Sequence, residues 1–290
     1  MASVVLEPAV WSKRRKRAAE LKERWPFASE VLAFYELLLD VQEAGCRAAS
    51  RDLPQPAEVA AYAAERIVPR VVEVSIAGGP AAMSASVLER FHAADFEAVI
   101  RGWLHGEELS LIERYLARAA TAPVLEALGE SAADACAGPR DERHCPTCGG
   151  LPQVSYFAPS PEDLVTAHRY LQCSRCATSW AYSRMTCAAC GESETARLPV
   201  YSEIGTSQSE LSGKIVRQGA PERQPAQAPG VHFPHVRVDG CDACSRYLLT
   251  IDLERDGRAV PLVDEIAAIP LDLYAKERGL SKIVPNLVGF

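Results

Sequence analysis

The 290-residue sequence has no apolar run near the ~18 residues that a membrane-spanning helix requires, and its start, Met1 to Arg24, carries charge where a secretory signal would be apolar. Membrane insertion and export are therefore not expected, and the chain reads as soluble and cytoplasmic. A surplus of positive charge is lacking too: 31 Lys and Arg stand against 38 Asp and Glu, a net charge of −7. That is the wrong sign for broad affinity to nucleic acid or acidic lipid. No period of about 20 to 50 residues marks a solenoid, and nothing specifies an oligomeric state. Hydrophobic residues make up 48% of the chain, enough at this length for one large domain or two ordinary ones.

Cysteine, by contrast, is abundant. Disulfides suit small secreted scaffolds, so grouped cysteines in a long chain without an export signal point to metal or redox chemistry. Eight of the ten form four Cys-x-x-Cys pairs: Cys145/Cys148, Cys173/Cys176, Cys187/Cys190 and Cys241/Cys244. Cys46, beside Gly45 at an expected helix end, and Cys136, in the expected domain link, read as small buried thiols.

The organisation along the chain follows this division. Apolar positions recur at three and four through Val31, Phe34, Tyr35, Leu38, then Phe96, Val99, Ile100, Trp103, and again Leu109, Ile112, Leu116, Ala119. Residues 1–138 are expected to form an all-helical domain of four to six helices, punctuated by Pro54, Pro56, Pro69, Gly78-Gly79-Pro80, Gly102 and Gly106. At Gly138-Pro139 the helical period stops. Short stretches rich in β-branched or aromatic residues then separate the cysteine pairs, as at Val154 to Phe157, Tyr170-Leu171, Trp180 to Tyr182 and Tyr247 to Ile251. The fold class is thus α+β: a helical bundle (1–138), two tandem rubredoxin-like or zinc-ribbon four-cysteine modules (139–183 and 184–258), and a C-terminal helical segment (259–290). In that last segment Asp264 to Arg278 is expected to be partly helical, interrupted by Pro270 and stopped at Gly279. Residues 219 to 234, with Pro221, Pro225, Pro229 and Pro234, read as an exposed, mobile loop.

A Cys-x-x-Cys turn lets two sulfurs face one point while backbone amides help neutralise them, so four turns make two four-thiolate sites. In sequence order the first pair joins the second across 24 residues and the third joins the fourth across 50. Both intervals exceed the usual roughly 15 to 20. The alternative places Cys173/Cys176 and Cys187/Cys190 on one metal and the outer turns on the other. A thioredoxin-like dithiol is the main rival, and it leaves three pairs over. Glycine after Cys148 and again after Cys190 suits a sharp turn with positive φ. Trp180, Tyr182 and Tyr247 are candidates to pack against the sites and exclude water.

Four thiolates close the coordination sphere, so hydrolytic metal catalysis is not expected. Zinc would be structural, whereas iron in the same tetrahedron would be a one-electron centre. His144 and His168 adjoin the cysteines, but with eight sulfurs present no ligand is missing. The run Lys13 to Arg17 reads as a solvated helix face. Between Pro139 and Arg258, 13 basic and 14 acidic residues give a formal −1. Two metals with four thiolates each would take this to roughly −5, against a nucleic-acid-binding ribbon.

The ordered set of four pairs with its flanks resembles the formate dehydrogenase accessory protein family, FdhE. The stretches that carry the resemblance are His144 to Gly149, Tyr170 to Cys176 with Trp180, Cys187 to Gly191, Cys241 to Leu248, and the tail Leu271 to Gly279. The resemblance implies a cytoplasmic, non-enzymatic assembly factor or chaperone acting on the formate dehydrogenase catalytic subunit before its export or assembly. It also implies rubredoxin-like iron binding, so that iron is slightly favoured over zinc at Cys145, Cys148, Cys173, Cys176, Cys187, Cys190, Cys241 and Cys244. The alternative is an iron redox protein acting during maturation of the same enzyme. The stretch from Leu211 to Pro234 is where departure from the family is expected.

Overall fold

The computed structural model describes residues 8–159, 167–204, 214–217 and 231–289. The chain divides into two units. Of the described residues, one comprises those up to 151 with 173–178 and 287–289, and the other comprises those within 152–172 and 179–286.

The first unit holds α1 (Pro8–Arg24), α2 (Ser29–Asp52), α3 (Val59–Arg66), α4 (Val68–Gly78), α5 (Ala81–Ala93), α6 (Phe96–His105) and α7 (Leu111–Leu128). The four to six helices expected become seven among the described residues because Pro69 starts a helix. It lies in the first turn of α4, where a missing N–H costs nothing, and only Ile67 separates α4 from α3. α2 buries Leu32, Tyr35, Leu38, Leu39, Gln42, Cys46 and Ala49 at helical spacing against α7 and α1. α7 is the central helix, buried from Tyr115 to Val124 on nearly every side. Its start is a capping box, Ser110 with Glu113, and Asp95 caps α6 by accepting from the Ala98 amide.

Two expectations are corrected in this unit. Cys46 and Gly45 lie inside α2, not at its end. Gly45 is there for proximity, since a Cβ on it would meet Ile67 Cδ1 at 3.0 Å and Pro123 Cγ at 3.5 Å. The basic run is only partly a solvated face. Lys13 and Lys16 are exposed, but Arg14 and Arg17 are buried, and Arg14 pairs with Glu126 of α7 at 3.1 Å. Its guanidinium also stands 4.7 Å from the Trp11 ring centre, so the arginine stem fills apolar space while its head is neutralised.

The second unit is built on a sheet of β1 (Pro152–Ala158), β2 (His168–Cys173), β3 (Ser179–Ala181), β4 (Val200–Ile204), β5 (Lys214–Arg217), β6 (Val236–Cys241), β7 (Arg246–Asp252) and β8 (Ser281–Lys282). The order is β3-β2-β1-β7-β6-β4-β5, with β8 on β7. Strands of the two four-cysteine segments therefore share one sheet. The join is parallel, β1 on β7, with Ser155 opposite Thr250 and Phe157 opposite Asp252. A parallel pair needs a long crossover, which is why neighbouring strands in space come from opposite ends of the region.

α8 (Pro261–Ala267) and α9 (Ile269–Glu277) follow β7. Pro270 lies in the first turn of α9, and Gly279 ends the segment at φ +76°. Between these helices and the sheet lies a buried polar knot. Lys282 Nζ is 2.6 Å from Glu265 and 3.0 Å from Asp272, Gln153 donates to Glu265, and Tyr247 donates to Asp272. Nearby, the buried pair His235 and Asp264 meets at 2.8 Å. No helix among the described residues is long and apolar enough to cross a membrane. Most of the proline-rich stretch, including Pro221, Pro225 and Pro229, lies outside the described residues.

Candidate metal centres

All four Cys-x-x-Cys turns share one local geometry. The residue after the second cysteine has positive φ in each: Gly149 at +67°, Ala177 at +57°, Gly191 at +82° and Ser245 at +55°. In three of them an amide just past the turn donates back to the first cysteine's carbonyl: Gly149 to Cys145, Gly191 to Cys187 and Ser245 to Cys241, each at 2.9 Å. In the other, the Cys173 amide donates to the Thr178 carbonyl at 2.9 Å, and the Arg175 amide approaches Cys173 Sγ at 3.3 Å. The reversal turns both sulfurs to one side. Glycine supplies it without strain in two turns, and the other two accept an L-residue in the left-handed region.

The turns gather into two clusters, Cys145, Cys148, Cys173 and Cys176, and Cys187, Cys190, Cys241 and Cys244, each with its sulfurs within 4.8 Å of one another. Sequence neighbours therefore meet, and the two middle pairs do not share a cluster. Sulfur separations are 3.5 Å for Cys145 to Cys176 and 3.3 Å for Cys148 to Cys173, against 3.8 Å for Cys187 to Cys244 and 3.7 Å for Cys190 to Cys241. A tetrahedron with metal–sulfur bonds of about 2.3 Å has edges of about 3.8 Å. The second cluster matches it and the first is slightly tighter. All ten cysteines are free, and these distances far exceed a disulfide bond of about 2.05 Å. Each donor set fits one tetrahedral zinc or iron ion.

Charge explains why such a cluster favours a cation. In the first cluster, hydrogen bonds from Cys148, Cys173 and Cys176 draw the Cys145 thiol far down, while burial and the neighbouring sulfurs push Cys173 up. One thiolate is thus accommodated at the cost of its neighbours, and four become accommodated when a divalent ion stands among them.

The clusters differ in exposure. Every cysteine of the first is buried, whereas in the second Cys190 is exposed and Cys244 half-buried. The first is also clamped from outside. Arg175, itself buried, directs Nη1 at the carbonyls of Leu104, Ala137 and Cys148, each at 3.4 Å. Gly150 runs so close that a Cβ on it would meet Cys173 Sγ at 2.9 Å.

Cys136, expected as an unremarkable buried thiol, proves to be a neighbour of the first cluster. A hydrogen bond with Cys148 draws its thiol down and is the largest influence pushing Cys148 up, to about 12. Its distance in sequence from the nearest pair hid this. His144 binds Asp141 at 2.7 Å, and His168 is exposed at the start of β2; neither joins a cluster. Trp180 and Tyr182 follow the second pair but cover the third turn, packing on a core with Leu171, Ala188 and Leu248, and the Tyr182 hydroxyl donates to the Cys187 carbonyl at 3.0 Å. Tyr247 is held by Asp272 in the polar knot. Arg175, inside the second pair, is a part of the site that spacing alone did not single out.

Comparison with known proteins finds FdhE proteins and domains similar to this chain. The sequence model described as "FdhE, central domain" matches residues 144–184, and that described as "FdhE, C-terminal domain" matches residues 222–288. A protein FdhE homolog of Aquifex aeolicus is 33% identical over 149 residues, 51% of this chain and 42% of the relative. One from Pseudomonas aeruginosa is 31% identical over 144 residues, 50% of this chain and 38% of the relative. The matched stretches thus span less than half the length of these relatives. The crystal structure of the FdhE protein from Pseudomonas aeruginosa shares the fold, with a TM-score of 0.59 over 96% of this chain and 95% of that one, at 23% identity. Two FdhE domains thus match in order over the cysteine-bearing region, and the chain shares its fold with an FdhE protein along nearly its whole length.

Proposed function

We propose that this protein is a cytoplasmic accessory factor for formate dehydrogenase, one that engages the immature catalytic subunit and is not itself a catalyst. The observation that carries this reading is the pair of closed four-sulfur clusters, with Cys145, Cys148, Cys173 and Cys176 in one and Cys187, Cys190, Cys241 and Cys244 in the other. Four sulfurs complete a tetrahedron and leave no coordination position for water or substrate, which suits a rigid, metal-stapled surface better than a metal hydrolase. Bound there, zinc would supply the charge that holds four thiolates together, and iron would add a one-electron couple. The protein's own part is to hold paired turns at one geometry through the Arg175 clamp, the Tyr182 hydroxyl and the positive-φ residues.

The experiment is co-purification of the full chain with the catalytic subunit from cells making formate dehydrogenase, before and after cofactor loading, beside a variant carrying C145S and C187S. Recovery of the subunit with the wild type and its loss with the variant support the reading; no recovery at either stage overturns it. A second reading, an iron redox protein in the same maturation, is favoured by the exposure of Cys190, which would give an electron a short path to the second cluster. Anaerobically isolated protein should then contain iron and lose its visible thiolate-to-metal absorption on reduction. Colourless, zinc-filled protein that still supports the enzyme removes this reading.

A further inference from the structure

Beside the second cluster, and wholly within the second unit, lies a cavity of about 600 Å³. Its walls are apolar at Met185, Leu198, Val200 and Ile283, but four arginines also line it: Arg169, Arg184, Arg237 and Arg246. Among the described residues of the lining, Asp239 is the acidic side chain, so the four arginines and this carboxylate sum to a formal +3, against which the metal-loaded second cluster, with Cys187 in the wall, sets about −2. A low-dielectric cleft of one sign focuses its field on whatever enters.

The single carboxylate is already shared. Asp239 faces Arg169 at 3.3 Å and Arg237 at 2.8 Å, and accepts from the Thr250 hydroxyl at 2.6 Å. Arg169 is fixed further by Ser155 and by the carbonyls of Ser183 and Thr186. Burial still pulls this guanidinium below its ordinary value despite the carboxylate beside it, as expected where positive charge is under-compensated. Arg237 Nε is buried and makes no hydrogen bond, although it lies in ion-pair range of Asp239. Arg184 and Arg246 have no carboxylate among the described residues; each donates to one main-chain oxygen, of Ala167 at 3.0 Å and of Lys282 at 3.4 Å. The guanidiniums of Arg184 and Arg237 stand 4.6 and 4.7 Å from the Phe157 ring centre, which holds both in place before any ligand arrives.

We propose that this cavity binds an organic phosphate, its phosphate group meeting Arg184, Arg237 and Arg246 and its apolar body resting on Met185, Leu198, Val200 and Ile283. Arg184 and Arg246, the two arginines with main-chain partners only, match the up to two charges of a phosphate ester, whose oxygens are spaced for guanidinium forks. The volume falls within the roughly 300 to 1,000 Å³ typical of small-molecule sites, larger than a bare anion needs. Cys187 and Ala188 of the third cysteine turn also line the cavity, so the bound molecule would lie against the second cluster. This site stands on its own observations and does not depend on the accessory role.

Isothermal titration calorimetry of the full, metal-loaded chain with AMP, inorganic phosphate and adenosine tests it, alongside R184Q and R246Q. AMP should bind, inorganic phosphate should bind at least about tenfold more weakly, and adenosine should give no heat; each substitution should weaken AMP by about tenfold or more. Unchanged metal content and melting temperature establish that the variants are folded. The proposal is overturned if neither AMP nor phosphate binds at millimolar concentration, if adenosine binds as well as AMP, or if both variants bind AMP like the wild type. Equal binding of phosphate and AMP would reduce the cavity to an adventitious anion site and overturn it as well.

Discussion

The Arg175 guanidinium stands 5.2 Å from the ring centre of Trp103, on α6, while its Nη1 reaches the carbonyls of Leu104, Ala137 and Cys148. One side chain between two cysteines thus ties the second turn of the first cluster to the first turn and to the helical bundle of the same unit. Replacing it leaves three carbonyls without this donor and an aromatic face without its cation. R175A should cost about 2 to 3 kcal/mol in urea unfolding, and R175K should recover less than half, because an ammonium has neither the fork nor the plane. An R175K variant as stable as the wild type would show that only charge is needed there.

Chelation should be ordered. The exposed Cys190 and half-buried Cys244 open the second cluster to a competing ligand, while every sulfur of the first is covered. Protein loaded with two zinc ions should release one quickly and the other on the order of tenfold more slowly, since the buried cluster must first open locally. Release followed with a chromogenic chelator checks this, and C187S should lack the fast phase. A single phase in the wild type would contradict the asymmetry.

The two turn glycines should differ in cost. Gly149 and Gly191 share positive φ, so alanine at either carries left-handed strain of about 1 kcal/mol. At Gly149 a Cβ would also meet the Pro139 carbonyl oxygen at 3.0 Å and the Gly138 carbonyl carbon at 3.2 Å, backbone atoms that cannot swing away. G149A should therefore lose about 2 to 3 kcal/mol and hold its metal more weakly, and G191A should lose only about 1. Equal melting temperatures for the two variants would rule out the close approach.

Alkaline pH should act through Cys46. Burial, followed by the nearby Glu126 carboxylate, raises this thiol from 9.0 to about 11. The unfolded chain therefore releases the proton first, so the stabilisation is complete below about pH 9 and is lost as pH rises through about 11. C46A should remove up to about 2 kcal/mol of that decline, read as a flatter plot of unfolding free energy between pH 8.5 and 11. A plot that parallels the wild type would place the titration elsewhere.

Much of this architecture was legible in the order of residues. Periodic apolar positions such as Phe96, Val99, Ile100 and Trp103 mark α6, because a helix buries one stripe whatever its neighbours are. Strand segments such as Tyr247 to Ile251 were equally readable. Short-range rules failed where a distant partner decided the outcome. Gly45 reads as a helix end but lies inside α2, because Ile67 and Pro123 need the space a side chain would occupy. Arg14 and Arg17 read as solvated, but α1 lies on α2 and Arg14 finds Glu126 more than a hundred residues away.

The spacing within each Cys-x-x-Cys turn is enough to aim two sulfurs at one point, since that geometry is local and repeats at Cys145, Cys173, Cys187 and Cys241 whatever surrounds them. Which turns meet, which cluster is covered, and which further groups attend it were decided by the tertiary structure alone. Cys136 reaches Cys148, Tyr182 reaches across to the third turn, and four arginines from separate segments converge on one cavity. Such meetings depend on the parallel pairing of β1 with β7, a long-range contact between segments almost a hundred residues apart, and local residue preferences carry no record of it.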